Sequence, residues 1–232
     1  FYLGKYEVTQ AQYEAVMTGN TNDLNATPSQ STGNDRPVEQ VSWDDAQVFL
    51  ARLNAAEQNA GRLPSGWSYV LPTESEWEYA CRAGTTTAYS WGNDINATHA
   101  NWNHGADPNQ TVIVGQFSAN PWGFFNMHGN VWEWSSDWYQ ATYPTGNPVV
   151  DPAGPASSPH RVHRGGSWTN PGSYSRSAKR KYITSGYRIN DIGFRLALRR
   201  ISFPPLTDSN FTTAVNMWFA NEANATATYG HI

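Results

Sequence analysis

The stretch NPWGFFNMHGNVWEWSSDWY, Asn120 to Tyr139, constrains this chain more than any other. It places Trp122, Phe124, Phe125, Trp132, Trp134, Trp138 and Tyr139 within twenty positions, with only two acids, Glu133 and Asp137. Aromatic rings each bury a large area, so a run this dense belongs at the centre of a core. Gly123, Asn126, Gly129 and Asn130 interrupt it, and such residues favour irregular backbone over regular helix or strand. A core made of loop must satisfy its backbone polar groups locally, through side chains, water or a bound cation.

Composition narrows the function classes. Only 15% of the 232 residues are charged, against about 25% in ordinary domains. The net charge of −4 offers no basic surface for nucleic acid. No apolar run approaches the length of a membrane span. Cys81 is the sole cysteine, so no disulfide can form within the chain. The length suits one large domain, or one domain plus a fragment. The start at Phe1 and the end in mid-pattern at Ile232 read as a piece of a longer protein.

Local signals predict three helices. Thr9 with Gln12 is a capping-box pair ahead of Tyr13, Val16 and Met17, and Gly19 supplies a stop. Ser42 with Asp45 is a looser box, followed at helical spacing by Ala46, Phe49, Leu50 and Leu53 and ended by Gly61. Thr73 with Glu76 opens the third, with Trp77, Ala80 and Cys81 on one face and Gly84 after it. Strands are predicted for Phe1 to Val8, SYVL, RVHRGGSW and IGFRLALRR. Residues 85 to 160 are rich in Gly, Pro, Asn and Thr, apart from an apolar run at Thr111 to Val114, and so long a coil signals a loop-built site. FPP at 203–205 reads as a linker, and Leu206 to Tyr229 as one amphipathic helix.

The motifs YEVTQAQY, RPVEQVSWDDAQVFLARLN, LPTESEWEYACRAG, WGND, ANW, GFFNMHGNVWEWSSDWY, RVHRGGSW and GFRLAL occur in one order over residues 1 to 200. In that order they resemble the formylglycine-generating enzyme (sulfatase-modifying factor) family. The resemblance implies an α+β, C-type-lectin-like fold with much irregular backbone and structural calcium. Residues 201–232 resemble the start of a second region, a repeat of bacterial surface proteins, which implies an exported or cell-surface bacterial setting.

The same resemblance sets the chemical expectations. Family oxidases convert a substrate cysteine to formylglycine with two copper-binding cysteines, on the third and eighth residues after the serine of GGS. Asn170 and Ser175 stand there in this chain, and neither an amide nor a hydroxyl replaces the soft thiolates that select Cu(I). The fold is therefore expected to be kept and copper chemistry lost, leaving a binding module, with a working oxidase as the rival reading and a purely structural adaptor as a third. Cys81 reads as a small buried hydrophobe.

The family's calcium positions carry over to Asn126, the carbonyls of Gly129 and Val131, and Glu133. A second site maps to Asn101, the carbonyl of Trp102 and Asp107. All offer the oxygen ligands calcium prefers. Against metal stands a plain reading, in which Asn126 caps a turn and Glu133 pairs with an arginine. The six histidines lack a zinc spacing, which favours surface or turn roles.

Last comes the segment Trp168 to Asp191, rich in Tyr, Arg, Asn and Ser, residue types suited to adaptable recognition. In the resembling family it lines the substrate groove, and C-type-lectin-like proteins diversified by retroelements have a similar frame. Trp168, Tyr174, Arg176, Arg180, Tyr187 and Arg188 are expected to line one cleft beside Ser167, with Asn170 and Ser175 at its floor. Arg176 and Arg180 would favour an anionic ligand, peptide, protein or glycan. The alternative is a solvated loop whose arginines pair with acids of the fold.

Overall fold

The structure, a computed structural model, describes residues 1–105, 109–142 and 152–201, and of the tail Thr212, Val215 and Asn216. The expected linker and tail helix otherwise lie outside the described residues, as does Asp107.

All three capping boxes form as read. Thr9, Ser42 and Thr73 each accept from the backbone amide three residues on, and Gln12, Asp45 and Glu76 reach back to the cap amides. They start α1 (Gln10–Met17), α2 (Trp43–Asn59) and α3 (Glu74–Arg82). Each box satisfies two of the donors that a helix start leaves open, so the signal is local. Tyr13 and Met17 of α1 and Ala46, Phe49 and Leu50 of α2 enter the main core, where the Tyr13 and Phe49 rings stack at 5.5 Å.

The strands form two sheets. β1 (Tyr2–Leu3), β7 (Ala197–Arg200) and β2 (Trp67–Val70) make an antiparallel sheet in the order β1-β7-β2. The second runs β5-β4-β3-β6, from β3 (Trp132–Trp138), β4 (Arg161–Arg164), β5 (Arg180–Ile183) and β6 (Ile192–Gly193). Its β3–β6 pair is parallel and the others antiparallel.

Several strand expectations need correction. The expected N-terminal strand shrinks to Tyr2–Leu3. RVHRGGSW stops at Arg164, because Gly165 and Gly166 turn into left-handed backbone at φ 100° and 76°. IGFRLALRR splits into β6 and β7, which belong to different sheets. Part of the aromatic run, expected to be irregular throughout, is the central strand β3, while residues before it stay irregular. The apolar run at 111–114, for which no strand is predicted, lies outside the two sheets. The side chain of Asn130 takes the role of a partner there, accepting from the Val112 amide at 2.9 Å and donating to its carbonyl at 3.3 Å.

Arg161 ties the second sheet to α2. Its guanidinium lies between the rings of Trp43 and Trp138, 3.6 and 3.3 Å from their centroids, a doubled cation–π contact.

Candidate functional site

The glycine- and asparagine-rich half of the aromatic run folds around a buried polar cluster. Glu133, on β3, has no exposed surface. Arg195 donates to it twice, from Nε and Nη2, each at 2.6 Å, and Trp77 Nε1 on α3 donates at 2.6 Å. Arg195 also donates to the carbonyls of Gly4 and Phe125. The arginine partner foreseen as the plain alternative for Glu133 is therefore present. Glu7 lies beside this pair and accepts from Asn126 Nδ2 at 3.0 Å and Asn130 Nδ2 at 2.9 Å. Burial, and then the charge of Glu133, push the Glu7 carboxyl up to about 7.

Asn126 and Asn130 both adopt left-handed backbone, at φ 53° and 66°, which asparagine tolerates better than most residues. Asn130 has its polar groups satisfied: its amide reaches the Asn101 carbonyl, its carbonyl takes the Trp168 amide, and its side chain meets Glu7, Asn101 and Val112. Asn126 differs, because its Oδ1 is buried without a partner. Gly129, at φ 85°, passes so close to Asn101 that a Cβ would overlap that residue's carbonyl. Asn101 is itself buried and donates to the Gln110 carbonyl at 2.9 Å. Trp102 is half-buried and bonds the carbonyl of Asn96. The two expected calcium loops are thus stitched together through Asn130, a residue that sequence reasoning took only as a loop former.

The GGS segment lies next to this cluster. Ser167 is fully buried, its hydroxyl 2.7 Å from Asp191 Oδ2 and 2.9 Å from Asn170 Oδ1. Asn170 Oδ1 also accepts from Trp132 Nε1 at 2.6 Å. Ser175, at the end of a 3-10 turn over Gly172–Ser175, is fully buried under Gly166 and its Oγ has no partner. Its carbonyl instead lies 2.7 Å from His128 Nδ1. Cys81 packs in a small cluster with Trp77, Ala80 and Met127, as expected, and burial pushes its thiol up to about 12. Contrary to expectation, His128 and His163 are core residues, pushed down to about 4 and 3 by burial and so neutral at physiological pH.

The recognition segment differs from expectation in its arginines. Arg188 donates bidentately to Asp45, at 2.6 Å to each oxygen, the same carboxylate that caps α2. Arg180 donates bidentately to the buried Glu74 at 2.5 and 2.7 Å. Two of the three arginines expected to meet a ligand are therefore committed within the fold. Arg176 and Tyr187 are exposed, and Trp168 is half-buried with its indole N–H on the Asn190 carbonyl. Tyr174 is half-buried and meets Trp132 edge-on at 6.3 Å.

What sequence reasoning missed is strand β5, and with it Lys179 and Lys181. Alternation along β5 sends Lys181 and Ile183 to one side and Arg180 and Tyr182 to the other, while Lys179, just before the strand, approaches the same ring as Lys181. Lys179 Nζ lies 4.5 Å and Lys181 Nζ 5.3 Å from the Tyr174 ring centroid, and Lys181 is 5.6 Å from that of Trp132. Arg180 lies over Tyr139 instead, and Tyr182 stacks on Tyr139 at 3.8 Å.

Comparison with known proteins agrees with this architecture. A family profile described as "Sulfatase-modifying factor enzyme 1-like domain" matches residues 1–200. The formylglycine-generating enzyme of Streptomyces coelicolor is 37% identical over 178 residues, 69% of this chain and 52% of that protein. The Bos taurus enzyme of the same name is 35% identical over 179 residues, covering 70% of this chain and 44% of its own. This chain thus spans about half the length of those relatives. Among solved structures, Treponema denticola variable protein 1 superposes with a TM-score of 0.69 at 32% identity, covering 85% of this chain and 84% of its own. PvdO from Pseudomonas aeruginosa gives 0.71 at 26% identity, over 86% and 80%. The chain belongs to the sulfatase-modifying factor (formylglycine-generating enzyme) domain family, with its α+β, C-type-lectin-like fold.

Proposed function

We propose that this chain is a non-catalytic ligand- or protein-binding module of formylglycine-generating-enzyme fold, in an exported or cell-surface bacterial protein. One observation carries the reading. The positions of the family's copper cysteines hold Asn170, tied to Trp132 and Ser167, and Ser175, buried beneath Gly166. Cys81, the one thiol, is fully buried and protonated across the physiological range. A thiolate is both the copper ligand and the nucleophile such chemistry requires. The rival, a formylglycine-generating oxidase, draws on the names of the relatives. The test is to add Cu(I) and oxygen to purified protein with a cysteine-containing sulfatase peptide. No product is expected; formylglycine above a no-protein control overturns the reading.

The proposal keeps structural calcium at the cluster around Asn126. The buried, partnerless Asn126 Oδ1 is what fits a hard cation. Asn126, the carbonyls of Gly129 and Val131, and Glu133 would hold it, with Glu133 shared with Arg195. Bound calcium would supply charge to offset the two buried acids. A ligand at one hundred times its Kd stabilises the folded state by about 2.7 kcal/mol, or about 5–10 °C for a domain of this size. Chelator is therefore expected to lower the melting temperature by that amount, and Asn126→Ala to abolish the difference. Identical melts of the wild type with calcium and with chelator rule calcium out. Glu133 is the wrong residue for this test, since its loss strands Arg195 whatever the metal does.

A further inference from the structure

We propose that the outer edge of β5, the last strand of its sheet, is a docking site for an extended acidic peptide, bound as an added strand with its acidic side chains against Lys179 and Lys181. The proposal rests on the binding-module reading and names the ligand class. Three observations carry it.

First, β5 ends its sheet, in the order β5-β4-β3-β6, so its outer backbone groups face no further strand among the described residues. An edge of this kind is a template for an incoming chain.

Second, the two lysines converge on one aromatic ring, Tyr174. No carboxylate lies within ion-pair distance of either among the described residues, although the arginines at 164, 180, 188 and 195 are all paired. His163, opposite Lys181 in the β4–β5 register, is held neutral and adds no charge. Two like charges gathered over low-dielectric aromatic surface are therefore complemented by an anion. Lysines on an edge also repel a second copy of the same edge, so they select a strand of opposite sign.

Third, the other side of β5 presents Tyr182, 49% exposed and stacked on Tyr139. An added strand that alternates acidic and apolar residues would meet lysines on one side and aromatic surface on the other.

The probe is a short fluorescein-labelled peptide alternating glutamate and valine, titrated with the protein and followed by fluorescence anisotropy at low salt. Binding is expected, and replacing every glutamate by glutamine should weaken it roughly tenfold or more, since charge-assisted contacts are lost. Lys179→Gln with Lys181→Gln should give a similar loss with an unchanged melt. N-methylation of alternate peptide amides should also remove binding, which separates strand addition from attraction to a charged surface. Equal binding of the glutamate and glutamine peptides, indifference to the lysine substitutions, or indifference to N-methylation overturns the proposal. Absence of any binding overturns it too, and leaves the binding-module reading to the copper assay, which is independent of these residues.

Discussion

Replacing Glu133 by alanine is expected to destabilise the domain by about 3–5 kcal/mol, the cost of breaking a buried ion pair from one side. The melting temperature would then fall by about 6–20 °C. Arg195 has no exposed surface, and two of its nitrogens donate to Glu133. Without the carboxylate its charge remains in the core, as does the unmet indole N–H of Trp77. Arg195→Ala should cost a similar amount, because it leaves Glu133 beside Glu7 without its ion-pair partner. The double variant separates this account from a simple loss of packing. Removing both charges together should be far less damaging than the sum of the single losses, since residues that act as a pair are not additive. Thermal melts of the three variants in chelator decide it; additive losses would show that the two residues act independently.

Gly129→Ala is the second severe substitution. Left-handed backbone costs a residue with a Cβ about 1–2 kcal/mol, and overpacking adds about 1–3 kcal/mol. Gly129 incurs both, since a Cβ there meets the backbone carbonyl of Asn101, which itself receives the Asn130 amide at 2.8 Å. The total, about 2–5 kcal/mol, falls beside Asn130, whose side chain bonds both Asn101 and Val112. Gly84 is the internal comparison, with the same backbone at φ 87° but open space where a methyl group would stand. Gly84→Ala should therefore show only the conformational part. Equal unfolding midpoints for the two variants would mean that the close approach at Gly129 contributes nothing.

The helices were legible because their determinants are local. Thr9, Ser42 and Thr73 each find their partners three residues away, so no distant contact is needed to start the helix. That Asn170 and Ser175 stand third and eighth after Ser167 is read from the sequence as well, since these are identities rather than geometries. The burial of Cys81 followed from the periodicity of α3. These readings concern residue type and short-range pattern, which the chain carries wherever it folds.

The strands and charge partners were decided only in three dimensions. A strand exists through its neighbour, and β3 reads as aromatic loop until β4 and β6 lie beside it. The partner of Glu133 is 62 residues away and that of Arg180 is 106, separations over which no local pattern operates. The same holds for Asn130, whose side chain replaces a strand partner for Val112. The basic segment shows the difference most directly. By composition, Arg180 and Lys181 are interchangeable positive residues in a polar stretch. Pairing of β5 with β4 turns them to opposite sides of the sheet, one onto the buried Glu74 and the other onto the open face of Tyr174. Which charge stays available to a ligand is therefore set by strand register, because successive side chains of an extended chain alternate between faces.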